Sequence, residues 1–481
     1  MSGGVTGIAA PGRVLPTMNE DGSRRWVRPK PSAGRWMRAR RIAAYALMVL
    51  FFAIPYLTIA GRPVLLLDLP RREFTLFGTM FQQTETLLFM LLFVSAVLAV
   101  FFFTALFGRV WCGWACPQTV YMEFLFRPVE RLVEGGWRAS QRMDRRHGVH
   151  ARRLLKHAIY LVLALFLAHT FLAYFVRPAE LAGWMTRSPV EHPMSFFIVM
   201  LTTAMIFLDF AWFREQTCLL ACPYGRLQAV LLDRRSVIVG YDGRRGEPRT
   251  AGIAGWAAGS GDCVSCNACV VTCPTGIDIR DGLQMECIGC TQCMDACDAV
   301  MARFGREPGL IRYASRDALE GRPSRLLRGR VVVYPVVLAA ALGALAYGVI
   351  TRPAAEVMML RDTGTPFVVQ PDGRVSNPLR LRIGHRGARA GAYHVALVGA
   401  PDAQLVAPLD PLVVEPGRIG TAPLFVLAPA SSFHDGGRDM TFRVTSAGGY
   451  RYDVHYHLVG PDADDDDEHA GDTHEPEGDH R

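Results

Sequence analysis

The sequence predicts an α-helical membrane protein with a compact polar domain before its last crossing and a small β-sandwich after it. Three observations lead there. Five apolar runs, at about 42–60, 86–108, 157–176, 195–213 and 331–350, approach the roughly 20 residues that cross a hydrocarbon core. Eight of the 12 cysteines fall within residues 261–297. Short alternating runs such as YHVALVG, MTFRVTS and YRYDVHYHLV fill residues 365–460.

The apolar runs come first in this argument. Half of the 481 residues are hydrophobic, high for a soluble chain, and they are clustered. Several long runs with few charges argue against ordinary core helices. The net charge of +8 hides an acidic end: residues 461–481 hold ten acidic residues and one Arg. Counting Lys and Arg between the runs, residues 1–41 carry nine, 61–85 three, 109–156 ten, 177–194 two and 214–330 sixteen. That alternation is the positive-inside pattern for a cytoplasmic N-terminus, and it makes nucleic acid an unnecessary explanation of the basic excess. Five crossings of a bacterial inner membrane then put residues 351–481 in the periplasm. No clean cleavage site closes the first run, so a signal peptide is not expected.

The polar domain is defined by spacing. Cys263-x2-Cys266-x2-Cys269-x3-Cys273-Pro274 is followed by Cys287-x2-Cys290-x2-Cys293-x3-Cys297. Each is the run that holds a 4Fe–4S cluster in bacterial ferredoxins, so two clusters are expected. Four soft thiolates must reach one cube, and the fourth Cys of each run ligates the other cluster. Cys263, Cys266, Cys269 and Cys297 are thus assigned to the first cluster, and Cys287, Cys290, Cys293 and Cys273 to the second. Zinc favours separated pairs, and disulfides do not persist in a cytoplasmic segment. Asp298 stands where the first run has Pro274. Glu286, Asp295 and Asp298 are expected to put negative charge beside the second run, favouring its oxidised form.

Four cysteines remain. WCGWACPQTVYMEF follows the second apolar run and TCLLACPYGRLQAV the fourth, so C-x3-C-P occurs twice: Cys112, Cys116, Pro117 and Cys218, Cys222, Pro223. On a helix, i and i+4 share a face, too far apart for an unstrained disulfide but suited to a shared metal ion or a redox relay. Two such faces offer up to four thiols, which suit Cu(I). Proline after the second Cys is expected to break the helix. A lone membrane Cys is usually a small apolar filler; a duplicated motif beside a cluster domain is not so easily read that way. Asp209 and His169 lie inside predicted spans, and Met185, His192 and Met194 share an outer loop as weaker metal candidates.

The alternating strands of 365–460, separated by Gly, Pro, Asp and Asn, predict an immunoglobulin-like sandwich without the usual disulfide. The expected organisation is a basic N-terminal segment 1–41, a four-helix membrane domain 42–235, a dicluster ferredoxin domain 236–330, a fifth crossing 331–350, a periplasmic domain 351–460 and a solvated acidic tail 461–481.

Order and local sequence together resemble a family. WFREQTCLLACPYGRLQ, VGYDGRRGEPR, CPTGIDIRDGLQMECIGC and DACDAVM are similar to stretches of the cytochrome c oxidase accessory proteins known as CcoG, FixG or RdxA. The resemblance runs through nearly the whole chain after its first forty residues. It implies a cupric reductase that supplies Cu(I) for the copper centre of cbb3-type cytochrome oxidase. The implied partners are that oxidase or its assembly and copper-chaperone proteins, with a cytoplasmic electron donor. The C-x3-C-P thiols Cys112, Cys116, Cys218 and Cys222 are then the copper or redox thiols. Two other readings share the motifs. NapH-type quinol dehydrogenase subunits carry similar spans and quartets, and a non-catalytic assembly scaffold would use the outer domain for docking.

Overall fold

The computed structural model describes residues 16–461 apart from 20, 22, 60, 70–72, 82–84, 146–149, 251–258, 324–328 and 388. The acidic tail beyond 461 lies outside them. The chain forms two compact units, one of Met1–Thr79 with Gln83–Tyr347, the other of Met80–Gln82 with Gly348–Arg481.

Among the described residues, four helices are long and apolar enough to cross a membrane: Thr86–Phe107, Ala151–Leu172, Pro193–Phe213 and Gly329–Thr351. The apolar windows of the first and last are 6% and 0% buried by protein, so lipid is their natural covering. The run expected at 42–60 is built differently. Its helix starts earlier and stops earlier, at Arg35–Ala53, and Pro55 sits in the 3₁₀ turn Ile54–Tyr56 that follows. Arg35, Arg38, Arg40 and Arg41 load its first two turns, which keeps it out of the apolar set. At its start, the backbone N–H groups of Trp36 and Met37 donate to Asp295 (3.2 and 2.7 Å). Near its end, the Tyr174 hydroxyl donates to the Phe51 carbonyl (2.7 Å). Tyr174 lies just beyond Ala151–Leu172, so the two helices share one end level. At about 1.5 Å per residue this helix is nearly as long as a hydrocarbon core is thick.

The cysteine-rich domain is small. Strands Ile238–Tyr241 and Ile311–Ala314 pair antiparallel, with Ile238 opposite Ala314. Helices Ala268–Val271 and Gln292–Arg303 each follow a cysteine loop. Val239, Cys269, Ile279, Met294 and Ile311 form the core between them. The N-terminal arm is bound to this domain: the Lys30 N–H donates to the Val271 carbonyl (3.0 Å), and Thr272 Oγ1 donates to the Lys30 carbonyl (2.8 Å).

The second unit is a two-sheet sandwich. One sheet runs Gln404–Val406, Ile419–Pro429, Arg374–His385, Ala355–Arg361, with Val368–Val369 added on Arg374–His385; the other runs Leu412–Val414, Gly391–Val398, Gly437–Ser446, Arg451–Val459. All recorded pairings in both are antiparallel, as Leu379 opposite Leu424 illustrates. Alternate residues turn inward, and Val375, Ile383, Leu424, Val426, Phe433, Phe442 and Val444 are fully buried. No cysteine takes part; apolar packing joins the sheets, with hydrogen bonds between His385 and Tyr393 (2.6 Å) and from the Val459 N–H to Asn377 Oδ1 (3.2 Å). Phe442→Ala is expected to cost about 3–5 kcal/mol in this unit. Hydrogen exchange of its strand amides in the full-length protein measures the loss.

Candidate electron-transfer centres

All twelve cysteines are free thiols. In both quartets the chain curls by the same device. The residues flanking the second Cys are left-handed in each: Ser265 and Asn267 (φ 51° and 56°), then Gly289 and Thr291 (φ 66° and 61°). Only Gly takes that region freely. Ser, Asn and above all β-branched Thr are held there at a cost of about 1–3 kcal/mol each, which persists where the surroundings over-determine it. The curl brings three closely spaced cysteines round one cavity.

The fourth Cys of each quartet lines the cavity of the other. Cys263, Cys266, Cys269 and Cys297 line one of about 350 Å³, walled otherwise by groups such as Val264, Met301 and Leu310, with Arg280 at its side. Cys273, Cys287, Cys290 and Cys293 line another of about 340 Å³, with Ile277, Ile279 and Ile288, and Cys269 on its wall. Burial pushes the Cys269, Cys290 and Cys297 thiols up to about 12, so a cation must hold them as thiolates. Among the described residues no three of His, Cys, Asp or Glu converge closely enough to hold one ion. A four-iron cube needs no such convergence, because each thiolate binds a different iron and the four stand wider apart. The donor set and the apolar walls therefore fit a cube in each cavity.

The acidic residues near the second quartet are placed differently from expectation. Asp295 is 3% exposed and caps the helix Arg35–Ala53. Asp298 accepts from the Gly309 N–H (2.8 Å), and its charge acts on Cys297, in the first cavity. Glu286 acts at the second, on Cys287.

The two C-x3-C-P motifs are built as structural repeats. The helix Thr86–Phe107 ends at Gly108 (φ 57°, ψ −121°), and the helix through Phe213 ends at Arg214 (φ 55°, ψ −120°). Each is four residues before the first Cys. Cys112 then sits in the short helix Val110–Trp114 and Cys218 in the π-helical turn Thr217–Ala221. The second Cys of each is extended (Cys116 ψ 126°, Cys222 ψ 112°), and Pro117 and Pro223 open the next helices. No continuous helix therefore carries either pair, and the shared-face geometry expected from i, i+4 does not apply. Proline begins a helix here, where its missing N–H costs nothing.

The fold does bring the two motifs together. Burial raises the Cys112 thiol to about 11, and Cys116 and Cys222 add to the rise. Burial also raises Cys218, which lies in electrostatic range of the other three. The four thiols form one cluster but no closed single-ion site, unlike the shared site that two helical faces suggested. This cluster is docked on the second cavity. A Cβ on Gly113 would stand 2.7 Å from the Gly289 carbonyl oxygen and 2.8 Å from that of Ile288. Arg109 donates to the Cys287 and Gly225 carbonyls (2.9 and 2.7 Å) and to that of Met285. Trp114 Nε1 donates to the Tyr313 hydroxyl (3.0 Å), which donates to the Gly289 carbonyl (3.3 Å). Cys218 shares a third cavity, of about 330 Å³, with Pro274, Thr275 and Ile288.

Sequence reasoning missed the buried ion network beneath this interface. Glu130 accepts from Arg214 through both oxygens (3.1 Å each), from Lys156 (3.3 Å) and from Arg28 of the N-terminal arm. Arg127 joins Glu123 (2.6 Å) to Glu215 (3.4 Å), and Arg24 reaches Glu215 (3.2 Å). The signal was available: Glu123, Arg127, Glu130 and Glu134 recur at spacings of four, three and four, one helical stripe. The weaker candidates have ordinary partners. His169 Nδ1 bonds the Leu165 carbonyl one turn back (2.8 Å). Asp209 accepts from Gln118 (3.1 Å) and Thr217. His192 stacks on Trp184 (4.4 Å), while Met185 and Met194 are exposed.

Apolar spans, two thiol-lined cavities of ferredoxin pattern and a β-sandwich define a membrane iron–sulfur electron-transfer protein. Family models agree in detail: a 4Fe–4S dicluster domain matches residues 213–316, a 4Fe–4S binding domain matches 86–137, and the "IG-like fold at C-terminal of FixG" matches 345–461. The chain is 36% identical to protein RdxA of Cereibacter sphaeroides, over 80% of this chain and 84% of that one. It is 32% identical to the nitrogen fixation protein FixG of Rhizobium meliloti, over 85% and 88%, and 32% identical to RdxB of C. sphaeroides, over 79% and 83%. The chain belongs to the FixG/RdxA family.

Two outcomes test this geometry. Cys297→Ser and Cys273→Ser each remove one cluster, and the cluster lost is the one whose three-cysteine loop lies in the other quartet; iron content and electron paramagnetic resonance (EPR) of the reduced protein distinguish them. Burial alone would raise the Glu130 carboxyl, but Arg214, Arg28 and Lys156 hold it well below its ordinary 4.5. A depressed carboxyl adds stability that is present above 4.5 and is lost as pH falls through its folded value. Acid unfolding of the membrane unit therefore steepens below 4.5, and Glu130→Gln removes that steepening.

Proposed function

We propose that this protein reduces Cu(II) to Cu(I) at the C-x3-C-P thiols and so supports the copper centre of a cbb3-type cytochrome oxidase. The observation that carries the proposal is the docking of the Cys112–Gly113 turn on the Ile288–Gly289 backbone of the second cysteine loop. Bound clusters supply single electrons, which is what Cu(II) requires. The chain's own residues do the rest. Cys112, Cys116, Cys218 and Cys222 offer soft donors that favour the product ion. Their burial disfavours free thiolates, so copper displaces protons when it binds. Trp114 and Tyr313 link the thiol turn to the second loop by direct hydrogen bonds.

The ferredoxin-like domain and N-terminus lie on the cytoplasmic side of a bacterial inner membrane, and the sandwich lies in the periplasm. The alternation of basic loops supports this arrangement. So does the helix Arg35–Ala53, whose start is bound to the cysteine domain and whose end lies by Tyr174. A cytoplasmic reductant then feeds the clusters, and the oxidase or its copper-chaperone proteins receive the product.

The deciding measurement is anaerobic. The detergent-purified protein is reduced, Cu(II) is added with a Cu(I)-specific chelator, and cluster absorbance and chelate colour are followed together. The clusters reoxidise in step with Cu(I) formation. Cys→Ser changes at positions 112, 116, 218 and 222 slow this by at least tenfold while iron content stays unchanged. Clusters that stay reduced with Cu(II) but reoxidise with a quinone would transfer the assignment to quinol chemistry.

A further inference from the structure

A poorly satisfied buried charge lies where the Cys112–Gly113 turn meets the second cysteine loop. Arg40 is 1% exposed. Its Nε donates to the Gly113 carbonyl (2.9 Å), and its guanidinium lies 5.4 Å from the centre of the Phe124 ring. Its Nη1 and Nη2 are buried with no hydrogen-bond partner. Glu123 is in electrostatic range, but its oxygens are taken by Arg127 (2.6 Å) and Gln292 (3.2 Å). A buried guanidinium with two idle nitrogens is costly unless something anionic faces it. Gly113 itself packs against Ile288 and Gly289, next to Cys290. The charge of Arg40 is felt at Cys290, where it opposes the burial that raises that thiol.

We propose that Arg40 is the buried counter-cation of the second cluster, donating its two free nitrogens toward the sulfurs held by Cys290 and its neighbours. The inference rests on the assignment of Cys273, Cys287, Cys290 and Cys293 to one cube. It does not require copper to be the final acceptor.

The two cavities differ in the way this role needs. At the second, Arg109 adds a further cation whose hydrogen bonds go to carbonyls, and Glu286 opposes them at Cys287. At the first, Arg280 lies in the cavity wall and its charge acts on Cys269, but it is paired with Asp278 (2.8 Å), and Asp298 acts on Cys297. Reduction adds one negative charge to a cluster, so a facing cation favours the reduced form and raises the potential. Arg40 thus favours the reduced form of the second cluster. An electron passed from a cluster held by Cys263, Cys266, Cys269 and Cys297 to one held by Cys273, Cys287, Cys290 and Cys293 would oxidise the first by one electron and reduce the second by one. No proton need move, because the counter-charge is already in place. An electron held there would lie beside the C-x3-C-P turn, through the packing of Gly113 on Ile288 and Gly289.

The test is an EPR-monitored redox titration of the full-length protein in detergent, with Arg40→Gln and Arg40→Lys compared with wild type. Arg40→Gln lowers the potential of one cluster by at least the 59 mV that corresponds to a tenfold change for a one-electron couple, and leaves the other in place. Arg40→Lys, which keeps the charge, shifts it less. Loss of one cluster's iron in Arg40→Gln but not in Arg40→Lys supports the same charge requirement. Unchanged potentials, equal shifts in both clusters, or equal iron loss in both variants overturn the proposal. Cys290→Ser separates this from an error in the ligand assignment: if it removes a cluster other than the one Arg40→Gln shifts, the assignment of the cavities fails instead.

Discussion

Everything in the membrane unit is arranged round the burial of charge. Glu130 is 4% exposed and meets Arg28, Lys156 and Arg214, which come from the N-terminal arm, from a crossing helix and from the turn before a cysteine motif. Taking ions out of water costs several kcal/mol each, and removal of a single partner strands the rest. Such a network tolerates little displacement. It holds the helix ends in one register, and the cysteine motifs start from those ends.

The duplicated motif shows how one geometry is reached by two routes. Gly108 takes its unusual backbone angles freely, since it has no Cβ to clash. Arg214 takes nearly the same angles at a cost and is clamped by Glu130 and Glu215. The turn at Arg214 is therefore inseparable from the ion network, whereas the turn at Gly108 stands without it.

Much of this was legible in the sequence. The cysteine rhythm announced two curled loops, and the crossed lining of the cavities followed from the x3 spacing. The period-two strands from 365 onward announced the sandwich. Three things were not legible, for physical reasons. The C-x3-C-P segments looked like continuous helix because spacing alone cannot show that the second Cys is extended. Asp295 looked like a free charge near a cluster because its capping partner is about 260 residues away in the chain. The arginines of the first forty residues read as a topology signal, yet Arg24, Arg28 and Arg40 are structural members of the interior. Long-range pairing leaves no local pattern, so composition read these residues only as a basic N-terminal segment.

The N-terminal arm carries a consequence for biogenesis. Residues 24–37 are made before their partners: Glu130, then Glu215, then Val271 and Asp295. The arm must stay unengaged through the insertion of several helices and the making of the cysteine domain. It can close only on a chain in which both halves are already in place. A chain whose cysteine domain has not formed therefore lacks the partners that Lys30, Trp36 and Met37 bond.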